Sequence, residues 1–368
     1  MSSLADAVPL GQVRRALVIK LRHHGDVLLA SPVIAVLKNH APRIEIDALV
    51  YADTAPMLAL HPALHVLHQI ERGWKDLAAL ARLGREWALY RRLAARRYDL
   101  LIHLTESWRG AWLARGLRPR WAVALEHRGG GKRWRKCFTH LVPAPRGGGR
   151  HTVERNLDAL RRIGVQPTED ERQLVLEPGE AARQAIRTLL SAQGLQAQRF
   201  VHIHPSSRWQ FKCWTTPGWA EIIRRLQAGG WPAVLTTAPD AGEQSMAAAI
   251  QQRLERPAID LSGRLALKEL AALAGEARLF IGVDSAPMHI AAAMRTPAVA
   301  LFGPSGEALW APWGEPRRGR HRVVASTRHN CRPCGLDGCG GGKVSDCLET
   351  LDADAVWRAV SEELQDPA

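Results

Sequence analysis

Three polar segments, each following an apolar run, contain the side chains of this 368-residue chain that are suited to chemistry. The first is RHHGD and ends at Asp26, the second extends from His204 to Lys212, and the third is DSAPMH and begins at Asp284. Gly25 permits a ligand to approach the backbone closely, and Asp26 is either a helix N-cap or an acid placed over a ligand site. The first segment therefore suits acid–base chemistry.

The second and third segments contain the groups that bind a pyrophosphate. The hydroxyls of Ser206 and Ser207 donate hydrogen bonds, and Lys212 supplies positive charge. In the third segment, Asp284 and Ser285 are capping residues at a helix start, where free N–H groups and the helix dipole favour phosphate. The structural alternatives are a capped surface loop and an ordinary helix N-cap.

The third segment lies inside a predicted βαβ unit that covers residues 279–305. The apolar runs and the proline positions predict a strand, a helix and a second strand at 279–283, 288–294 and 298–302. Three polar side chains gather around the helix start, those of Asp284, Ser285 and His289. A purely structural turn does not need all three, which favours a binding function.

Strands alternate with helices along both halves of the chain, which indicates an α/β protein with parallel sheets. Further strands are predicted at 14–21, 44–50, 66–70, 98–104, 200–203, 233–237 and 259–261. Further helices are predicted at 28–42, 54–60, 74–97, 111–117, 152–163, 179–193, 219–230 and 353–364. The polar, proline-bounded segment 168–178 is interpreted as a linker.

The net charge of +14 is concentrated in one quarter of the sequence. Residues 71–162 contain 22 Lys and Arg against 8 Asp and Glu, and the helix at 74–97 has apolar residues on one face and arginines on the other. The glycine-rich segment 128–135 is predicted to be a mobile loop that contacts an anionic acceptor. Such a patch attracts nucleic acid, an anionic membrane or a phosphorylated substrate, unless it is only a solvated helix face.

Four of the six cysteines form the spacing C-x2-C-x4-C-x7-C inside a glycine-rich segment; they are Cys331, Cys334, Cys339 and Cys347. This spacing has two interpretations, a tetrahedral zinc site and a metal-free loop of reduced thiols. The N-terminal sequence lacks the basic start and apolar core of a signal peptide, and no apolar run is long enough to span a bilayer. A cytoplasmic protein is expected.

Three motifs together resemble glycosyltransferase family 9, the ADP-heptose:lipopolysaccharide heptosyltransferases. They are KLRHHGDVLLASP, HPSSRWQFKCW and GVDSAPMHIAAA, in this order, and the tail CRPCGLDGCGGGKVSDCL is most similar to the lipopolysaccharide core heptosyltransferase III branch. The resemblance implies a GT-B fold, in which two Rossmann-like doubly wound domains face a central cleft. It places an acceptor-binding domain at 1–175, a nucleotide-sugar domain at 176–350, and a C-terminal helix at 351–368 that packs back on the first domain.

Residue by residue, the resemblance assigns a role to each motif position. Asp26 matches the general base, while Ser206, Ser207 and Lys212 match the phosphate-contacting hydroxyls and lysine. Asp284 matches the acid that hydrogen-bonds the heptose. Three further positions match the turn near the phosphates and the histidine beyond it: Ser285, Ala286 and His289. The carboxylate on the ribose is either Asp240 or Glu243.

The implied activity is inverting transfer of heptose from ADP-heptose to a phosphorylated inner-core acceptor, as a branch on the second heptose. A leaving ADP held by lysine, serines and a helix start needs no metal, and the sequence has no DxD pair after a strand, so no metal or cofactor is expected. Peripheral contact with the anionic inner membrane is expected, and nucleic acid is not. The alternatives are another GT-B sugar-nucleotide enzyme and a non-catalytic scaffold that binds membrane or polyanions.

Overall fold

A computed structural model describes residues 6–127, 129–144 and 149–365. The chain forms two compact units, Met1–Glu177 and Pro178–Ala368, whereas the sequence placed the boundary between residues 175 and 176. Each unit contains one parallel six-stranded sheet with helices between its strands. The predicted fold class, two Rossmann-like doubly wound domains, is confirmed.

The first unit has the strand order β3-β2-β1-β4-β5-β6. Its strands are β1 Arg15–Ile19, β2 Glu45–Tyr51, β3 Val66–Ile70, β4 Leu100–His103, β5 Trp121–Leu125 and β6 His140–Val142. Its α-helices are α1 His24–Leu28, α2 Ser31–His40, α3 Ala79–Arg96, α4 Trp108–Leu117, α5 Gly131–Arg135 and α6 Thr152–Arg161. Short 3-10 helices cover Leu10–Gln12, Ala52–Met57, Arg72–Asp76 and Asp170–Arg172.

The second unit has the strand order β12-β11-β10-β7-β8-β9. Its strands are β7 Val201–His204, β8 Ala233–Leu235, β9 Ile259–Asp260, β10 Leu279–Val283, β11 Ala298–Phe302 and β12 Arg322–Ala325. Its α-helices are α7 Glu180–Ala192, α8 Thr216–Ala228, α9 Ala241–Gln251, α10 Leu267–Glu276, α11 Ala286–Ala293, α12 Glu307–Trp310, α13 Asp346–Glu349 and α14 Ala353–Gln365. Two 3-10 helices cover Gln210–Lys212 and Cys339–Gly341.

Both sheets therefore have the same topology. When the strands are numbered within their own unit, both sheets have the order 3-2-1-4-5-6. Successive strands are added towards one edge up to the third strand and towards the other edge from the fourth, so the strand order reverses between the first and fourth strands. These strands are β1 and β4 in the first unit, and β7 and β10 in the second. In doubly wound sheets, ligands bind outside the carboxyl ends of the strands at this switch point. The topology thus selects one candidate site in each unit.

The central strands are buried on both faces, which explains their continuous apolar runs. All five residues of β10 and of β11 are buried, and so are four of the five in β1. The helices between the strands supply the covering layers. In the second unit, for example, α8 contributes Trp219, Ile222 and Leu226 to the core.

Helix α3 is packed only in its C-terminal half. Leu89 and Leu93 lie in the core of the first unit, and Arg96 pairs with the buried Asp47 of β2 through Nε at 2.8 Å. Burial would raise the pKa of Asp47, but hydrogen bonds from His68, Arg96 and Tyr98 lower that pKa to about 2. The end of α3 is therefore fixed to the sheet by a charged network.

The structure corrects two sequence-based expectations and adds three strands. The C-terminal helix α14 was expected to pack on the first domain, but Val356 and Val360 lie in the hydrophobic core of the second unit because their helix face is apolar. The segment 128–135 was expected to be a loop, but its residues from Gly131 form the short helix α5, while Arg128 lies outside the described residues. Strands β5, β6 and β12 were not predicted.

None of the helices in the described part of the chain has the length and apolar character that a membrane crossing requires.

Candidate active site

At the switch point of the first unit, Asp26 lies in the first turn of α1, which begins directly after β1. The N-cap of this helix is His23 rather than Asp26, and Asp26 is half-buried. Its carboxylate forms no hydrogen bond or ion pair with any residue that the structure describes. The N-cap interpretation of Asp26 is therefore wrong, and the carboxylate is available to a ligand.

A buried lysine, Lys20, lies near enough to Asp26 for their charges to interact, and no role was assigned to it from the sequence. The Nζ atom of Lys20 donates hydrogen bonds to the Leu104 carbonyl and to Asn156 Oδ1, both at 3.1 Å. Burial lowers the pKa of Lys20 to about 8, although the nearby charge of Asp26 opposes this shift. The signal that identifies it is a lysine that directly follows the apolar run ALVI at the end of β1.

Gly25 precedes Asp26 inside the first turn of α1. It is not among the residues with a positive φ, so a left-handed backbone does not explain the glycine. The expected reason for a glycine at this half-buried position is therefore the close approach of a ligand, which a side chain would hinder.

At the switch point of the second unit, Lys212 and Asp284 form an ion pair. Lys212 ends the 3-10 helix after β7, and Asp284 follows β10, the strand that pairs directly with β7. The distance from Nζ to Asp284 Oδ2 is 2.6 Å, and the side chains are 22% and 6% exposed. A partly buried carboxylate thus holds an ammonium group at the carboxyl edge of the sheet.

Helix α11 begins next to this ion pair. Its N-cap is Ser285, whose hydroxyl donates to the Val283 carbonyl at 3.3 Å and makes no capping hydrogen bond, and its first residue is Ala286. His289, one turn into the helix, is buried at 3% exposure. The positive end of the helix dipole and the Lys212 ammonium group therefore lie together, which suits an anionic ligand.

The two serines after β7 have different hydrogen bonds. Ser206 is 1% exposed and donates its only hydroxyl proton to Glu243 Oε2 at 2.6 Å. Ser207 is half-buried, and its oxygen accepts the Trp209 N–H at 3.2 Å, which leaves its hydroxyl proton to be donated. Only Ser207 can therefore donate to a phosphate without breaking a hydrogen bond that is already present.

The two carboxylates that were left open as ribose ligands also differ. Asp240 is exposed and is the N-cap of α9, where its Oδ1 accepts from the backbone N–H groups of Gly242 and Glu243 at 2.9 and 3.2 Å. Glu243 is 8% exposed and accepts hydrogen bonds from Ser206 and from the Ala238 N–H. Glu243 is the carboxylate held against the switch-point strand.

Two buried histidines of β7 support this arrangement, and sequence reasoning missed both. His202 and His204 each hydrogen-bond the Thr236 hydroxyl, at 2.8 and 2.9 Å, and burial lowers the pKa of each to about 3. His204 Nε2 lies 3.9 Å from Glu243 Oε2. Both imidazoles are therefore neutral at physiological pH and orient the site without adding charge.

The four clustered cysteines are free thiols. Cys331, Cys334 and Cys339 are exposed, while Cys347 is buried and its pKa is raised by that burial. Within the described residues, no three His, Cys, Asp or Glu side chains come together as a metal-binding group. The structure thus gives no support to the zinc interpretation.

Comparison with known proteins gives consistent results in sequence and in fold. Residues 86–339 match glycosyltransferase family 9 (heptosyltransferase). The chain is 38% identical over 295 residues to lipopolysaccharide heptosyltransferase 3 of Escherichia coli. The aligned region covers 80% of this chain and 84% of the relative.

Among solved structures, a glycosyl transferase family 9 protein from Veillonella parvula aligns with a TM-score of 0.82 at 21% identity, over 98% of this chain and 99% of the other. An Escherichia coli heptosyltransferase with ADP-2-deoxy-2-fluoro heptose aligns with a TM-score of 0.71 at 20% identity, over 95% and 99%. These alignments confirm the predicted GT-B fold class.

Proposed function

Because the chain belongs to glycosyltransferase family 9, the heptosyltransferases, we propose that it transfers L-glycero-D-manno-heptose from ADP-heptose to the inner core of lipopolysaccharide. The proposed product is a branch on the second heptose, which is the product that the resemblance of the motifs and of the cysteine-containing tail implies. Family membership also favours glycosyl transfer over the scaffold that the sequence left open.

The observation that carries the proposal is the Lys212–Asp284 ion pair beside the start of α11. An ammonium group has three N–H donors, and Asp284 Oδ2 takes one of them. The other two are available to the diphosphate of the donor. The second oxygen of Asp284 is available to a heptose hydroxyl, so one ion pair positions both halves of ADP-heptose.

The remaining groups of the second unit divide the contacts with ADP between them. Ser207 donates to the diphosphate, and the backbone turn at Ser285 and Ala286 approaches it from the helix end. Glu243, oriented by Ser206, accepts from the ribose hydroxyls. Asp240 is already used as a helix cap and stays outside the donor site.

In the first unit, Asp26 is the general base. An oxygen of the acceptor attacks the anomeric carbon of heptose, the bond from that carbon to the phosphate oxygen breaks, and ADP leaves with the bonding electrons. Asp26 takes the proton of the acceptor hydroxyl late in this displacement. A single displacement inverts the anomeric centre, and Lys212 and the α11 dipole stabilise the charge that develops on ADP.

The acceptor is a phosphorylated lipid-linked glycan, which accounts for the basic character of residues 71–162 in the first unit. We place the enzyme in the cytoplasm, peripherally at the inner face of the cytoplasmic membrane. Nucleic acid has no role in this proposal.

The test is ADP release from ADP-heptose, with and without a truncated lipopolysaccharide that ends at the second core heptose. Wild-type protein should release ADP only with acceptor, and Asp26→Asn should lower kcat by about 10²–10⁴-fold, the range for loss of a general base. Asp76→Asn, which changes an exposed aspartate of the same unit, is the matched control and should keep full activity. Absence of release with any inner-core acceptor would refute the proposed function.

A further inference from the structure

The first unit exposes an unusual set of large apolar side chains on two adjacent helices. On α3, the exposed fractions of Leu80, Leu83 and Trp87 are 84%, 64% and 61%. On α4, those of Trp108 and Trp112 are 42% and 64%. We call these five side chains the α3–α4 face. An exposed apolar cluster of this kind marks an interaction surface.

The apolar stripe of α3 is not simply the continuation of its core-facing side. Residues 80, 83 and 87 are spaced three and four apart and therefore share one side of the helix. The core-facing side is marked by Leu89 and Leu93, whose mean direction lies more than a third of a turn away from that of the stripe at 100° per residue. Every residue from 77 to 85 is exposed, so the N-terminal half of α3 projects from the unit.

Trp87 of α3 and Trp112 of α4 border the contact between the two helices. The Tyr90 hydroxyl donates to the Gly116 carbonyl at 3.1 Å, which joins the two helices. Trp87 stacks on Tyr90 with ring centroids 5.4 Å apart, and Trp112 lies one turn before Gly116 on α4. Both helices also connect strands in the same direction along the sheet, and right-handed crossovers then place them on one side of it.

The unpaired charges on and beside these two helices are mostly positive. Six exposed arginines on the two helices and at the end of α4 form no ion pair with any described residue: Arg82, Arg85, Arg91, Arg92, Arg115 and Arg118. Two nearby carboxylates already have basic partners, since Glu86 pairs with Arg109 and Glu106 pairs with Arg155. Asp76, which precedes α3, is exposed and forms no ion pair with a described residue. The two helices therefore combine exposed apolar side chains with an excess of uncompensated positive charge, and on α3 most of the arginines lie on the side opposite the apolar stripe.

A pocket of about 250 Å³ adjoins the α4 end of this surface. Arg115, Arg118 and Lys136 line it, and its lining contains no carboxylate. Three cations around one small pocket suit a phosphate group.

We propose that the α3–α4 face is the surface by which this enzyme lies on an anionic bilayer, with leucine and tryptophan side chains among the acyl chains and arginines at the phosphates. Tryptophan and arginine favour the interface of a membrane, and a helix with this composition lies in the interfacial plane. The inference rests on the membrane-associated part of the proposed function and adds the residues that perform it.

The charge pattern argues against two other occupants. In a two-fold dimer the same patch meets itself, which would bring the six unpaired arginines of each copy together with only one unpaired carboxylate, Asp76. Nucleic acid would satisfy the arginines but would leave Leu80 and Leu83 without apolar contacts. An anionic bilayer supplies phosphates for the arginines and acyl chains for the leucines.

Flotation of the full chain with vesicles tests the proposal. Wild-type protein should bind vesicles of phosphatidylethanolamine and phosphatidylglycerol, and bind vesicles of phosphatidylcholine at least about tenfold less, since the attraction requires anionic lipid. L80S/L83S/W87S should lower binding to the anionic vesicles by about tenfold or more. Leu336→Ser and Arg253→Glu, which change exposed residues of the second unit, should bind as wild type does.

Activity and oligomeric state separate the possible outcomes. L80S/L83S/W87S should keep wild-type ADP release with a deacylated, water-soluble acceptor and lose rate with the acceptor embedded in vesicles. Failure of wild-type protein to bind anionic vesicles overturns the inference whatever its activity. Unchanged binding of L80S/L83S/W87S to the anionic vesicles also overturns it. The same holds if wild-type protein self-associates and the variant loses this self-association but still binds the vesicles. Vesicle binding without transfer to the soluble acceptor would refute the proposed function alone.

Discussion

The switch points of the two units have the same topology, but the aspartate at each has a different electrostatic environment. In the first unit, the Asp26 carboxylate has no partner among the described residues, and the nearby cation, Lys20, is buried and bonded elsewhere. In the second unit, Asp284 and Lys212 are bonded to each other. An unpaired carboxylate can accept a proton from a ligand, whereas a carboxylate held by lysine acts by orienting that lysine. One fold thus provides a base and an anion site through the partner given to each aspartate.

This division of roles is tested most strongly by disrupting the ion pair. Lys212→Met removes the charge that faces the diphosphate and leaves the nearly buried Asp284 unpaired, so we expect kcat/KM to fall about 10²–10³-fold. Asp284→Asn should cause a loss of similar size, and the double variant should be little worse than either, because the two residues act as one unit.

Calorimetric binding of ADP distinguishes the two switch points. Lys212→Met should weaken ADP binding, while Asp26→Asn should leave it unchanged because Asp26 belongs to acid–base chemistry. Equal loss of ADP affinity in both variants would show that the two aspartates do not have separate roles.

The next largest effect concerns the buried cation of the first unit. Lys20 has a pKa of about 8 in the folded protein, against an ordinary value of 10.5. Below pH 8 the lysine is charged in both the folded and the unfolded state. Between the two values the unfolded chain keeps the proton that the folded protein loses, so the free energy of unfolding rises with pH, by on the order of 3 kcal/mol in total.

Urea denaturation at several pH values across this window measures that rise. Lys20→Met should abolish it, while Lys75→Met, a change of an exposed lysine, should retain it. If wild type and Lys20→Met gave parallel curves of stability against pH, Lys20 would not be the buried, unpaired cation that distinguishes the first switch point from the second.

The positions of the switch points were predictable because their signals are local. An apolar strand, a polar turn and a proline-containing helix start are adjacent in sequence around Asp284, and the same order surrounds Asp26. The strands that were missed are short or lie towards a sheet edge, and β6 and β12 have three and four residues. Length alone does not explain the misses, because β8 and β9 have only three and two residues and lie within predicted strands.

The pairings inside the site were not predictable, because they join distant segments. Lys212 and Asp284 are 72 residues apart, and Ser206 and Glu243 are 37 apart. Spacing shows that such groups exist, but the sheet order decides which of them meet. Similarly, the period of α3 predicted an apolar face, yet only the fold shows that its N-terminal half has no covering element.

The smallest expected effects separate the two serines of the second switch point. Ser207→Ala should weaken ADP binding by about tenfold, the value of one hydrogen bond to a charged group, and should weaken 2′,3′-dideoxy-ADP equally. Glu243→Gln should instead weaken ADP and leave the dideoxy analogue unaffected, because its ribose lacks the hydroxyls. Ser206→Ala should follow Glu243→Gln rather than Ser207→Ala, since its hydroxyl is bonded to that carboxylate. If Ser206→Ala followed Ser207→Ala, both serines would contact phosphate and the Ser206–Glu243 bond would have to break on binding.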